Sequence, residues 1–136
     1  LVVDLGSGDG RIVIAAAKDF GARGLGIELH GALVEKSRAN AVRAGVAERV
    51  SFVRGDVLAA DISAPTVVTV YLLPDLMNRL QPRLLEPLQP GTRVVSHAFT
   101  MTGWGPDGRE TMGEVGSPSA VRDTALSPWS CPRRAL

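Results

Sequence analysis

The chain has 136 residues, 45% hydrophobic and 21% charged, and its 15 basic and 14 acidic side chains leave a formal net charge of +1. One soluble globular domain with room for a core fits these values, and the near-neutral balance gives no electrostatic case for nucleic-acid binding. No apolar run approaches the ~18 residues of a membrane span. The single cysteine, Cys131, excludes an internal disulfide, suits a reducing cytosol and sits in the tail, a poor place for a catalytic thiol.

Leu1-Val2-Val3 reads as a buried parallel strand closed by Asp4. Gly6-Ser7-Gly8-Asp9-Gly10 follows, and its three glycines permit positive φ and let a ligand lie against the backbone. Helix-compatible sequence over Ile12–Phe20 comes next, so the loop opens onto a helix N-terminus with free N–H groups, and Gly21 suits the far end. Strand, glycine loop and helix together make a cofactor cradle. Arg11 occupies the third small position of the G-x-G-x-x-G/A dinucleotide fingerprint, which disfavours NAD, and no G-x-x-x-x-G-K-[ST] phosphate loop is present.

Leu25–Ile27 forms a second strand that ends at Glu28, near the ~20-residue offset at which such folds place a ribose-binding carboxylate. A second helix over Gly31–Gly45 lines up Val34, Ser37, Ala41 and Ala44 on one face, with Glu35, Arg38 and Arg43 on a solvated face. Val50–Val53 is the third strand, with Gly55-Asp56 straight after it. Asp4, Glu28 and Asp56 thus end three successive strands on one rim, and they repel each other unless something cationic or donor-rich lies between them.

The segment 57–64 carries no full helix, and Thr66–Tyr71 is the fourth strand. Leu76, Leu80, Leu84 and Leu88 then repeat at helical spacing, with Pro82 expected to kink or split the helix and Asp75 and Asn78 expected to cap it. Thr92–Phe99 makes a fifth strand, and His97 near its end reads as structural, with proton relay the alternative. Trp104 either covers a substrate entrance or packs on the sheet edge. Residues 1–109 read as the core, and 110–136, without apolar period and rich in Gly, Ser and Pro, as a poorly ordered tail.

The run from Asp4 to Gly10, D-x-G-x-G-x-G, resembles motif I of class I S-adenosylmethionine-dependent methyltransferases. DLGSGDGRIVIAAA, GLGIELH, LVEKSRANAVRAGV, RVSFVRGDV, VVTVYLLPDLMNRLQPRLL and PGTRVVSHAF follow in order. Over roughly residues 1–107 they resemble bacterial relatives of the protein-lysine methyltransferases that act on the c subunit of ATP synthase and on the adenine nucleotide translocase. DLGSGDGRIV with the later RVVS is also similar to the histone lysine methyltransferase that lacks a SET domain.

The resemblance implies an α/β, Rossmann-like, doubly wound and mostly parallel sheet that binds S-adenosyl-L-methionine, with no residue assigned to a metal. It places Asp4, Gly6, Gly8 and Gly10 around the methionine moiety, Glu28 at the ribose, and Asp56 with the backbone near Val57 at the adenine, with Ser7, Leu29 and Tyr71 also in the cofactor-binding set. Tyr71, Leu73 and Pro74, with His97 nearby, form the lip through which the acceptor enters, and the acceptor implied is a protein lysine. Tyr71 either orients the incoming amine or is simply packed at a strand end. Family members carry residues ahead of the first strand and finish with two further strands. A chain that begins at Leu1 therefore reads as truncated at its N-terminus, and 110–136 supplies no convincing final strand. A non-catalytic truncated relative and an RNA or small-molecule methyltransferase are the alternatives.

Overall fold

The computed structural model describes residues 1–97, 101–102, 104–108, 110–112 and 124–130. The last residues of the expected fifth strand, Cys131 and most of the expected tail lie outside the described residues. Five apolar, β-rich segments form parallel strands: β1 (Val2–Leu5), β2 (Gly24–Glu28), β3 (Val50–Arg54), β4 (Val67–Val70) and β5 (Arg93–His97). Helix α1 (Arg11–Phe20) joins β1 to β2, α2 (Gly31–Arg43) joins β2 to β3, and α3 (Pro74–Leu85) joins β4 to β5. Two further strands, β6 (Glu110–Met112) and β7 (Thr124–Ser130), complete the sheet. Its order is β3-β2-β1-β4-β5-β7-β6, so the winding reverses between β1 and β4. In open α/β sheets that reversal opens the ligand crevice at the carboxyl ends of the strands.

Alternation along the strands divides the interior in two. Val3, Leu5, Val68, Val70 and Val94 face α3 and pack with Met77, Leu80 and Leu84. Val13, Ala17, Val34, Ala41 and Phe52 form the second core, beneath α1 and α2. Asp4 does not close β1: Leu5, fully buried among the α3-side residues, extends the strand by one. Trp104 packs against that same core. Helix α3 runs through Pro82, since buried Leu80 and Leu84 anchor both sides of the missing donor. No side chain caps it: Pro74 takes the first turn, and Asn78 instead accepts the Thr102 N–H at 3.3 Å.

Two further expectations fail. Arg38 is not merely solvated: it pairs with Glu35 and also donates to the Phe52 carbonyl at 2.8 Å, tying α2 to β3. Strand β7 runs antiparallel to β5 and pairs with β6, so the sheet does possess a final strand where a tail was expected. Pro128 hides β7 in the sequence because it lacks a ladder donor. The strand tolerates it because β6 runs beside only Thr124–Leu126.

Leu80 is fully buried at the centre of the α3-side core. Leu80→Ala should lower unfolding free energy by about 2–5 kcal/mol in urea titration, with little change in m-value. A loss below about 1 kcal/mol would mean that α3 is not held by this face.

Candidate functional site

The register sets Phe52, Gly26, Asp4, Thr69 and Val95 in one row across β3, β2, β1, β4 and β5. The row lies on the sheet face covered by α1 and α2, where Phe52 packs. Gly26 has to be a glycine, because a Cβ there would lie 2.5 Å from the Phe52 ring and 2.6 Å from the Ser7 hydroxyl. Glu28 stands two residues further along β2, opposite Arg54, and Asp56 follows two residues beyond Arg54. Asp4 and Glu28 therefore share one face at the carboxyl edge of the sheet, and Asp56 follows beyond the end of β3.

Each acid has a different environment. Asp4 is 2% exposed and accepts the Thr69 hydroxyl at 2.7 Å across the β1–β4 junction. Burial, opposed by that hydrogen bond and reinforced by the nearby Glu28 charge, raises its pKa from 3.8 to about 6. Glu28 is 8% exposed, with one oxygen accepting the Gly8 N–H at 3.0 Å and the other the His30 N–H at 2.9 Å. Asp56 is exposed and closes a turn by accepting the Leu58 N–H at 2.9 Å.

The glycine loop is pinned from below. Gly6 and Ser7 donate to the Ile27 carbonyl at 2.9 and 3.0 Å, Gly8 to Glu28, and Gly10 to the Ser7 carbonyl at 2.9 Å. The N–H groups of Gly6, Ser7, Gly8 and Gly10 are therefore engaged within the protein rather than free. The loop requires Gly10, whose φ is 81° and whose Cβ would meet Phe52 and Ser37 at 2.7 Å. Gly8, by contrast, has open space where a Cβ would sit. A ligand can approach the main chain there.

A cavity of about 440 Å³ lies over the loop, walled by Asp4, Gly8, Asp9, Ile12, Lys36 and Tyr71 among others. A second cavity, of about 470 Å³ and mostly apolar, lies over β4 and β5, walled by Ile12, Thr69, Val70, Tyr71, Val95 and His97 with Arg11. Arg11, Ile12 and Tyr71 border both. Arg11 grips Asp9 through two hydrogen bonds, of 2.9 and 2.8 Å, which holds the Asp9 carboxyl below its ordinary range.

Several expected residues do not meet at these cavities. Glu28 and Asp56 line neither of these two cavities, Leu29 is exposed, and Leu73 is exposed on the lip before α3. Ile12, Leu33 and Lys36 line the loop cavity without having been singled out. Leu33 and Lys36 are one helical turn apart at the start of α2, a spacing that places them on one face. Among the described residues, no helix is long and apolar enough to cross a membrane.

Chemically, the loop site presents the Asp4 and Asp9 carboxylates, with Arg11 paired to Asp9 and Lys36 contributed by α2. A pyrophosphate there would meet the Asp4 carboxyl and no unengaged N–H from Gly6, Ser7, Gly8 or Gly10, with Lys36 the cation not paired to Asp9. A ligand with a cationic group, and hydroxyls to donate to Glu28, fits the same surface.

A family model described as the ANTKMT methyltransferase domain matches residues 4–108. A protein-lysine N-methyltransferase of Saccharolobus islandicus is 47% identical over 107 residues, covering 78% of this chain and 66% of that protein. A lysine N-methyltransferase of Xenopus laevis named for the ATP synthase c-subunit is 41% identical over 107 residues, covering 79% of this chain and 47% of that protein. The chain thus spans about half to two-thirds of these relatives' length. Among solved structures, that of an RNA methyltransferase from Salinibacter ruber in complex with S-adenosyl-L-homocysteine is similar, with a TM-score of 0.89 and 48% identity, covering 99% of this chain and 82% of that one.

The Asp4 environment has a measurable consequence. The folded protein holds the Asp4 proton to about pH 6, whereas the unfolded chain releases it near 3.8. Between those values the folded state binds more protons, so stability falls as pH rises through the window. Asp4→Asn keeps an acceptor for Thr69 and removes the buried charge. The variant should be more stable than wild type at pH 7, by on the order of 3 kcal/mol, with the gap closing below about pH 4 in pH-dependent urea unfolding. Equal stability at pH 7 would show that Asp4 is ionised there at no cost.

Proposed function

Because the chain belongs to the ANTKMT methyltransferase domain family, we propose that it is an S-adenosyl-L-methionine-dependent methyltransferase and that its acceptor is a protein lysine. The observation that carries the reading is the pair Asp4 and Glu28 beside a glycine loop whose Gly6, Ser7, Gly8 and Gly10 N–H groups are already engaged. Such a surface favours a cation with a ribose diol over a dinucleotide. Relatives named as protein-lysine methyltransferases support the acceptor class. The lone cysteine is in keeping with a reducing cytosol.

The bound cofactor supplies an electrophilic methyl group on a sulfonium, and transfer is an in-line displacement that depends mainly on positioning and desolvation. In this reading Glu28 holds the ribose hydroxyls, its two oxygens kept in place by the Gly8 and His30 N–H groups. Asp4, oriented by Thr69, faces the positive end of the methionine moiety. Gly6, Ser7, Gly8 and Gly10 give a close main-chain wall, Asp56 lies at the adenine end, and Tyr71 separates the cofactor cavity from the acceptor cavity. The acceptor amine has to lose a proton first, at a cost of about 4–5 kcal/mol at pH 7 from a reference pKa of ~10.4.

Removing the Glu28 carboxylate tests the reading. Glu28→Ala should weaken S-adenosyl-L-homocysteine binding about ten- to a hundredfold by calorimetry, the loss of roughly 1.5–3 kcal/mol in charge-assisted hydrogen bonding. Equal affinity in wild type and variant counts against the ribose assignment. Labelled cofactor incubated with a lysate of the source organism should place its methyl group on lysine. Label found only in RNA moves the acceptor class to that named for the Salinibacter ruber protein.

A further inference from the structure

The cavity over β4 and β5 contains a group with no part in cofactor binding. Its wall is formed by Arg11, Ile12, Thr69, Val70, Tyr71, Val95 and His97. Of these, Ile12, Val70 and Val95 are hydrocarbon, and Arg11 is permanently cationic and paired with Asp9. Thr69 already donates to Asp4. Tyr71 can accept a proton only as phenolate. His97 is the wall residue whose neutral ring carries a nitrogen lone pair able to take a proton.

Position and orientation support a role. His97 ends β5 one residue past the Val70–Ser96 pair, and Tyr71 extends β4 to the same level. The two rings meet edge to face, with centroids 4.4 Å apart and planes at 89°. This contact sets the imidazole against the residue that borders both cavities. The imidazole is half-buried, and among the described residues its ring nitrogens have no hydrogen-bond partner.

We propose that His97, held by Tyr71 in the apolar cavity beside the glycine loop, takes the proton from the incoming lysine ammonium. The proposal rests on the lysine reading above. In the step, the Nζ–H bond breaks and the proton passes to a ring nitrogen of His97, leaving a neutral amine and an imidazolium. The amine lone pair then forms the N–CH3 bond as the C–S bond breaks, with its electron pair staying on sulfur to give the thioether. The methylated ammonium leaves, and the imidazolium returns its proton to water. The charged groups that face His97 are few: Arg11 from α1, neutralised by Asp9, and among the described residues no carboxylate lines this cavity.

The test compares wild type with His97→Gln, using tritiated S-adenosyl-L-methionine and a lysate of the source organism deleted for the gene. Methyl-lysine is counted after acid hydrolysis, and S-adenosyl-L-homocysteine affinity is measured in parallel by calorimetry. Expected at pH 7 is a rate loss of about 10²–10⁴-fold, with affinity unchanged. The deficit should shrink towards about pH 9.5, where the acceptor increasingly loses its proton unaided. A variant as fast as wild type at pH 7 overturns the proposal, as does a loss that stays constant across pH. Loss of S-adenosyl-L-homocysteine binding does so too, because it assigns His97 to structure. If wild type itself methylates no lysine, the lysine reading falls and this step with it. Wild-type lysine methylation with an indifferent variant removes His97 alone.

Discussion

Two carboxylates sharing the carboxyl edge of a parallel sheet, one deeply buried and one held by main-chain donors, are the constraint on which the site depends. Asp4 and Glu28 stand on adjacent strands, close enough for the Glu28 charge to help raise the Asp4 pKa to about 6. A fold does not keep such a pair without cost, since burial and like charge both disfavour ionisation. Thr69 and the Gly8 and His30 N–H groups offset part of the penalty. The remainder disfavours a second full charge on this edge.

The glycine loop serves the same end. The Gly6, Ser7 and Gly8 N–H groups turn down to Ile27 and Glu28, so these residues offer a close main-chain wall rather than the outward donors of a phosphate cradle. Gly26, Phe52 and Ser37 leave room only for this arrangement, because side chains at positions 10 and 26 would collide with their neighbours. Packing beneath α1 and α2 thus determines the loop's path, and the loop's path determines which ligands the crevice accepts.

Much of this was legible in the sequence. The five parallel strands announce themselves as short apolar runs, β-branched in all but β2, and the three acids fall at or just beside the ends of the first three. What the sequence hides depends on neighbours far along the chain. The Asp4–Thr69 bond exists because β4 lies beside β1, a consequence of the reversal in strand order. The Tyr71–His97 contact needs β5 beside β4, and Arg38 reaches Phe52 only because α2 packs over β3. Strand β7 is the clearest omission, since Pro128 and a polar setting disguise a segment whose place comes from pairing with β5. Leu33 and Lys36 escaped notice because the sequence alone does not show which side of α2 turns to the loop.

The most direct measurement follows the Asp4 carboxyl by carbon-detected NMR titration, alone and with saturating S-adenosyl-L-methionine. Without ligand it should titrate near 6. A cationic ligand against the acid row stabilises the carboxylate, so the midpoint should fall by at least about one pH unit on binding. An unchanged or higher midpoint in the bound protein would contradict the assignment of this edge to a positively charged cofactor.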